Sequence, residues 1–265
     1  MSRASHLRVF TQACRVGLAD FRMFWTPRTW TFGWMVRITT NAAMWILLGA
    51  LLGSRGITEF LLLGYAVAAG ATSTLWAVPA CYWDRSNGAH ALQLAAPGAV
   101  FPSLLGRTFI WFVNGCVTGL VAFPILALAF GLHVPAMLWA AFIPIVLLTC
   151  FSTYAFSLAL GVLVAKVPGF RNVASGVAAS ALIAFSGALV APAFWPAWLQ
   201  TIFQAMPMTH GLVGMRQVAA GEALGPAVVA GVTELAVGVL WLALAYFILN
   251  QVVAVERRTG SVDRP

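Results

Sequence analysis

Lysine occurs once in this 265-residue chain, as Lys166, and charged residues of every kind make up only 8% of it. The lone lysine is followed by Val-Pro, so the glycine-rich phosphate loop that ends in Gly-Lys-Ser/Thr has nowhere to form. Any process driven by ATP would need its engine on another polypeptide. The four cysteines, Cys14, Cys81, Cys116 and Cys150, are isolated from one another and show neither metal-ligand nor redox spacing. They read as small apolar packing residues. His6, His90, His133 and His210 are scattered, only His90 has an acid nearby (Asp84), and no Gly-x-Ser-x-Gly or His-Glu-x-x-His pattern occurs. No catalytic residue and no metal ligand is assigned, and the chain is not expected to be an enzyme.

With 61% hydrophobic residues, the chain lies far from soluble domains, in which about a quarter of residues are charged. Six apolar stretches, at about 34–52, 60–83, 108–130, 136–165, 173–191 and 227–253, match the length a membrane-crossing helix needs. The first begins only after some thirty polar and aromatic residues, which does not resemble a cleaved signal peptide. If the N-terminus is inside, every basic residue except Arg55 and Arg216 falls in a cytoplasmic segment. Both termini are therefore expected in the cytoplasm, with the chain a multi-pass protein of the cell membrane. The net charge of +8 follows from that placement and implies no nucleic-acid partner. Trp25, Trp30, Trp34 and Trp83 fall near the inner boundary, Trp195 and Trp198 near the outer one.

Residues 1–33 precede the first span. Leu7, Phe10, Cys14, Leu18 and Phe21 recur every three or four residues among Arg8, Arg15, Asp20 and Arg22. That spacing predicts an amphipathic helix in the inner interface, anchored by Phe10, Leu18 and Phe21 with its arginines near lipid headgroups. A transmembrane domain over 34–255 and a short cytoplasmic tail over 256–265 complete the expected organisation.

Two connections are unusual. Residues 84–100 are polar and too long for a simple turn, and the spacing predicts a short helix over 89–95. Ser86 or Asn87 would cap it and Pro97-Gly98 would end it. Leu92 and Leu94, with His90 and Gln93 beside them, are expected to face the cytosol. Residues 191–225 carry Pro192, Pro196 and Pro207 yet stay apolar and aromatic, which predicts a re-entrant hairpin between spans five and six. Trp198, Phe203, Met206, Met208 and His210 are its candidate pathway residues. Glu234, the one acidic residue deep in a span, is either a proton carrier or a residue near the outer surface paired with Arg216.

Four stretches, in order, carry a family resemblance over nearly the whole chain. They are the amphipathic helix of residues 5–25, the segment from Asp84 to Pro97, the Ser186-Gly187…Pro196-Ala-Trp198-Leu-Gln hairpin entry, and Met206-Pro-Met208-Thr-His210-Gly-Leu followed by Arg216 and Gly221. Together they resemble type-2 ABC exporter permeases, the group of daunorubicin-type drug, nodulation-factor and polysaccharide exporters. The resemblance implies an all-α, six-span membrane subunit without a bound cofactor, its ATP and Mg held by a cytoplasmic ABC ATPase present in two copies. It implies that Asp84, Arg85, Gly88, His90, Leu92, Gln93, Leu94 and Pro97 belong to a coupling helix docked on that ATPase. A second permease, identical or a paralogue, would complete a pathway along the dimer interface. The family segment usually carries further acidic residues around its Gly-Thr, whereas here Asp84 stands alone and Gly88 is followed by Ala89-His90. That departure fits a heterodimer. The expected cargo is hydrophobic or amphipathic: a drug, a lipid or a lipid-like metabolite. The alternatives are a polysaccharide or lipo-oligosaccharide exporter, and a proton-coupled secondary transporter using Glu234.

Overall fold

The computed structural model describes residues 3–95, 100–131 and 135–260, and every regular element within them is a helix. In chain order these are α1 (Arg3–Phe24), α2 (Pro27–Leu51), α3 (Arg55–Ser86), α4 (Ala89–Ala95), α5 (Val100–Ala129), α6 (Ala136–Val164), α7 (Arg171–Phe185), α8 (Ala197–Phe203), α9 (Thr209–Ala219) and α10 (Leu224–Thr259). Five of them, α2, α3, α5, α6 and α10, are long and apolar enough to cross a membrane. The remaining stretch expected to cross, 173–191, holds the 15-residue α7 and then bends through residues 186–190. At 1.5 Å per residue α7 is about 22 Å long, short of the roughly 30 Å hydrocarbon core.

The first span starts at Pro27 rather than Trp34 because Thr26 and Thr29 form a reciprocal capping box and Pro27 takes the first helical position. The chain then winds as a π-helix from Trp30 to Met35 before continuing as α-helix. This segment sets two indoles against α5: Trp30 Nε1 donates to Asn114 Oδ1 at 2.8 Å, and Trp34 Nε1 donates to Thr118 Oγ1 at 3.0 Å.

The apolar stripe of α1 sits largely on protein. Phe10 meets Phe109 at 5.7 Å and Phe21 meets Trp111 at 5.4 Å, both edge to face. The helices approach so closely that a Cβ on Gly17 would lie 2.3 Å from the Arg107 carbonyl oxygen. Leu18 is only partly covered, and Leu7, Met23 and Phe24 remain exposed, Phe24 with one face on Trp83. The inner tryptophans likewise form a cluster within the protein: Trp34 contacts Trp25, Trp76 and Trp111, and Trp83 contacts Trp111. Trp34 and Trp111 are each 1% exposed, so their surfaces are covered by protein.

Candidate functional site

The segment after α3 folds close to expectation in extent and differently in detail. The helix α4 covers 89–95, but Asn87 closes the C-terminus of α3 and does not start α4. Gly88 makes the turn at φ 72°, in the left-handed region that a Cβ disfavours.

The polar residues of this region turn inward. His90 and Asp84 are buried, and the Arg85 side chain is nearly so. Arg85 Nη2 donates to Glu256 Oε1 at 2.6 Å, His90 Nε2 lies 3.0 Å from Glu256 Oε2, and Lys166 Nζ stands 3.8 Å from Glu256 Oε1. Gln93 donates to Asp84 Oδ2 at 2.9 Å. Arg107 bridges Asp84 Oδ1 and Asp20 Oδ2, each at 2.5 Å. Two adjacent charge clusters, one centred on Glu256 and one on Arg107 and Asp84, thus join α1, α3, α4, α5 and α10. His90 and Gln93, expected to face outward, instead tie α4 to α10 and α3. Leu94 packs against the core, and Leu92 is left 75% exposed as the apolar contact that α4 offers. Gly88 is exposed at the turn, and Pro97 lies outside the described residues.

Glu256 was not among the residues singled out from sequence. It is the first residue of the stretch expected to be a solvated tail, and Arg257-Arg258 after it strengthens that impression. In the fold it lies inside α10 with 2% exposure, and only the tertiary structure brings Arg85 and His90 to it.

At the opposite end, Glu234 of α10 is fully buried and does not pair with Arg216. Its Oε1 accepts from the Met208 N–H at 2.6 Å and from the Ser152 hydroxyl, and its Oε2 accepts from the Gly211 N–H at 3.0 Å. The carboxylate caps the N-terminus of α9 from another helix, where unsatisfied N–H groups and the helix dipole favour an anion. Met208 is the only non-glycine residue with positive φ, 76°, among the described residues, and Glu234 holds its N–H there. Arg216 is engaged elsewhere: Nη2 donates to the Gly187 carbonyl at 2.5 Å, and the guanidinium lies 3.8 Å from the Phe60 ring centroid. Burial pulls its pKa down to about 10, which leaves it charged at neutral pH.

Of the six pathway candidates, Met208 and Glu234 are brought together by their hydrogen bond. Phe203 stacks on Phe185 at 4.7 Å, and Met208 is buried in the core beside partly covered Met206. His210 Nε2 lies 2.9 Å from the Gln204 carbonyl oxygen, and Trp198 projects from the surface. A cavity of about 380 Å³ opens elsewhere, among α2, α3 and α7. Arg37, Asn41, Tyr65, Thr72 and Ser175 contribute polar groups to its wall. The Tyr65 hydroxyl donates to Asn41 Oδ1, and Arg37 lies over Trp34, 5.0 Å from the ring centroid. Sequence reasoning missed this cavity, although Arg37 and Asn41, one turn apart in an apolar helix, are a signal of the kind that marks polar sites in membranes.

Long apolar helices, a short helix at one end and charged pairs binding that helix to the span ends define a multi-pass helical membrane protein. A sequence profile of the ABC-2 type transporter family matches residues 18–219, and the chain belongs to that family. Permeases of this family normally pair with an ABC ATPase. No curated protein and no solved structure matches the chain. The matched segment stops before α10, so Glu234 and Glu256 both lie beyond it.

Proposed function

We propose that the chain is the membrane subunit of an ATP-driven exporter, with α4 docking on a separate cytoplasmic ATPase. The observation that carries this reading is the mounting of α4: Leu92 points away from the protein while His90 and Gln93 anchor the same helix to α10 and α3. A load applied at Leu92 is passed to the ends of two spans as a rigid-body motion. Two ATPase copies and a second permease complete the complex, and both termini lie in the cytoplasm with the arginine-rich ends. In this arrangement α7 is a short fifth crossing whose outer end is closed by the re-entrant pair α8 and α9, giving six spans.

The cavity between α2, α3 and α7 suits an amphipathic cargo, since it offers hydroxyl, amide and guanidinium groups between apolar helices. Trp198 and Phe203 then belong to the outer end of the route rather than to its polar pocket. The proton-coupled reading gains nothing from Glu234, whose hydrogen-bond partners are a hydroxyl and two backbone N–H groups, none of which titrates near neutral pH.

Purification of the tagged chain in mild detergent, with identification of every stoichiometric partner, tests the proposal. Recovery of a P-loop ATPase is the expected result, and a second, different permease in the same complex would establish a heterodimer. A chain that purifies alone, with no ATPase, would overturn the reading.

A further inference from the structure

A groove of about 550 Å³ runs between the C-terminal half of α1, the start of α2 and one face of α5. Its walls are apolar and aromatic, with Phe21, Trp25, Trp30, Ile110 and Val113 prominent, and no carboxylate lines it. Two polar groups matter. Arg22 lines the groove, is exposed, and has no ion-pair partner among the described residues. Asn114 lines it too and is 4% exposed. Its Oδ1 is committed to the Trp30 indole N–H, which fixes the amide orientation, because an indole only donates. Its NH2 is therefore left as a donor, buried and without a partner. An orphaned buried donor of this kind costs stability unless something accepts from it. The two hydroxyls at the rim are engaged locally: Thr31 donates to the Pro27 carbonyl, and Thr26 pairs with Thr29 in the capping box.

The side chains of the groove thus present a cation and an amide donor, no anion, and a long apolar wall. That pattern fits an amphiphile whose polar part is anionic and rich in acceptors. We propose that this groove binds an anionic phospholipid, its phosphate on Arg22, an ester carbonyl accepting from the Asn114 NH2, and an acyl chain along Phe21, Trp30 and Val113. The groove lies one to three turns along α5 from Arg107, at the same end as the charge clusters. The Trp30 indole that opens the π-helical turn takes Asn114 Oδ1 as its acceptor, which leaves the amide nitrogen as the remaining donor. The inference rests on membrane embedding alone and stands whether or not an ATPase binds α4.

Native mass spectrometry of the purified protein tests this, after exchange into detergent containing equal amounts of phosphatidylglycerol and phosphatidylcholine with identical acyl chains. The wild-type protein is expected to retain phosphatidylglycerol preferentially. Arg22→Ala, at an exposed position, is expected to weaken that retention about tenfold, the loss of one charge-assisted hydrogen bond. Asn114→Asp keeps the acceptor for Trp30 but replaces the donor by an acid, and is expected to abolish the preference. Because it also buries that acid and lowers the thermal midpoint, Arg22→Ala, whose exposed position leaves the midpoint unchanged, is read beside it. Equal retention of the two lipids, retention of neither, or wild-type preference in both variants would overturn the proposal. A hydrophobic cargo taken up with no dependence on Arg22 or on headgroup charge would likewise mark the groove as a cargo entrance instead.

Discussion

Arg85 on α3 and Glu256 in the last turns of α10 meet at 2.6 Å, although 171 positions separate them in sequence. His90 of α4 reaches the other oxygen of the same carboxylate. Glu256 is thus the point at which the short helix, the second span and the last span are joined. Removing one member of a buried pair leaves an uncompensated charge, which costs about 3–5 kcal/mol. Glu256→Ala is expected to lower the thermal midpoint of the purified protein clearly, and in the assembled complex to leave ATP hydrolysis running without transport. Glu256→Gln keeps one oxygen for Arg85 and is expected to fall between. The readouts are thermal unfolding in detergent and the ratio of ATP hydrolysed to cargo moved; equal stability of all three proteins would remove the clamp.

Glu234 performs a comparable task at the far end. In Glu234→Ala the Met208 and Gly211 N–H groups lose their acceptor in a buried site, about 1–3 kcal/mol for each. Glu234→Gln retains one oxygen for Met208 but sets a donor against the Gly211 N–H. The order of stability expected is therefore wild type, then Gln, then Ala, measured by thermal unfolding. Transport by the Gln variant is expected to persist, and to be insensitive to collapse of a proton gradient. Loss of transport in Glu234→Gln with full stability would restore a proton-carrying role.

Gly17 tests how α1 is seated. A Cβ there would fall 2.3 Å from the Arg107 carbonyl, a backbone atom that cannot step aside without moving α5. Overpacking of this sort costs about 1–3 kcal/mol, and parting the helices also lengthens the Asp20–Arg107 pair. Gly17→Val is expected to make α1 accessible to protease while the membrane-embedded remainder stays intact. The neighbouring exposed Val16→Ala serves as the control, expected to leave the digestion pattern unchanged.

Much of the helical layout was legible because hydropathy and length are properties of contiguous sequence. The extent of α4, the short helices α8 and α9, and five long apolar helices follow from local spacing and from prolines. What escaped was everything that depends on which helices meet. The spacing of Phe10 and Phe21 describes an apolar stripe equally well whether lipid or α5 covers it. The positive-inside count uses Arg37 as one charge and is blind to the cavity it shares with Asn41 and Tyr65. Glu256 beside two arginines reads as a soluble tail, and Glu234 beside distant Arg216 reads as half of an ion pair, until backbone N–H groups from α9 are seen at its oxygens. The left-handed Met208 has no local sequence signal, because the conformation is imposed by a residue on another helix.

Leu92 and Leu94 differ in a way their spacing does not reveal, and the difference separates docking from folding. Leu94 packs against the core, so Leu94→Asp buries a charge and is expected to destabilise the protein whatever α4 does. Leu92 is 75% exposed, and nothing among the described residues covers it enough to resist a polar substitute. A surface change of that kind is ordinarily worth within about 0.5 kcal/mol, so Leu92→Asp is expected to leave the thermal midpoint unchanged. If Leu92 inserts into an apolar cleft of the ATPase, the same substitution desolvates a carboxylate there and weakens the complex. Co-purified ATPase and transport are then expected to fall together while the isolated permease remains as stable as wild type. Wild-type coupling in Leu92→Asp would place the ATPase contact elsewhere and leave α4 as a structural brace.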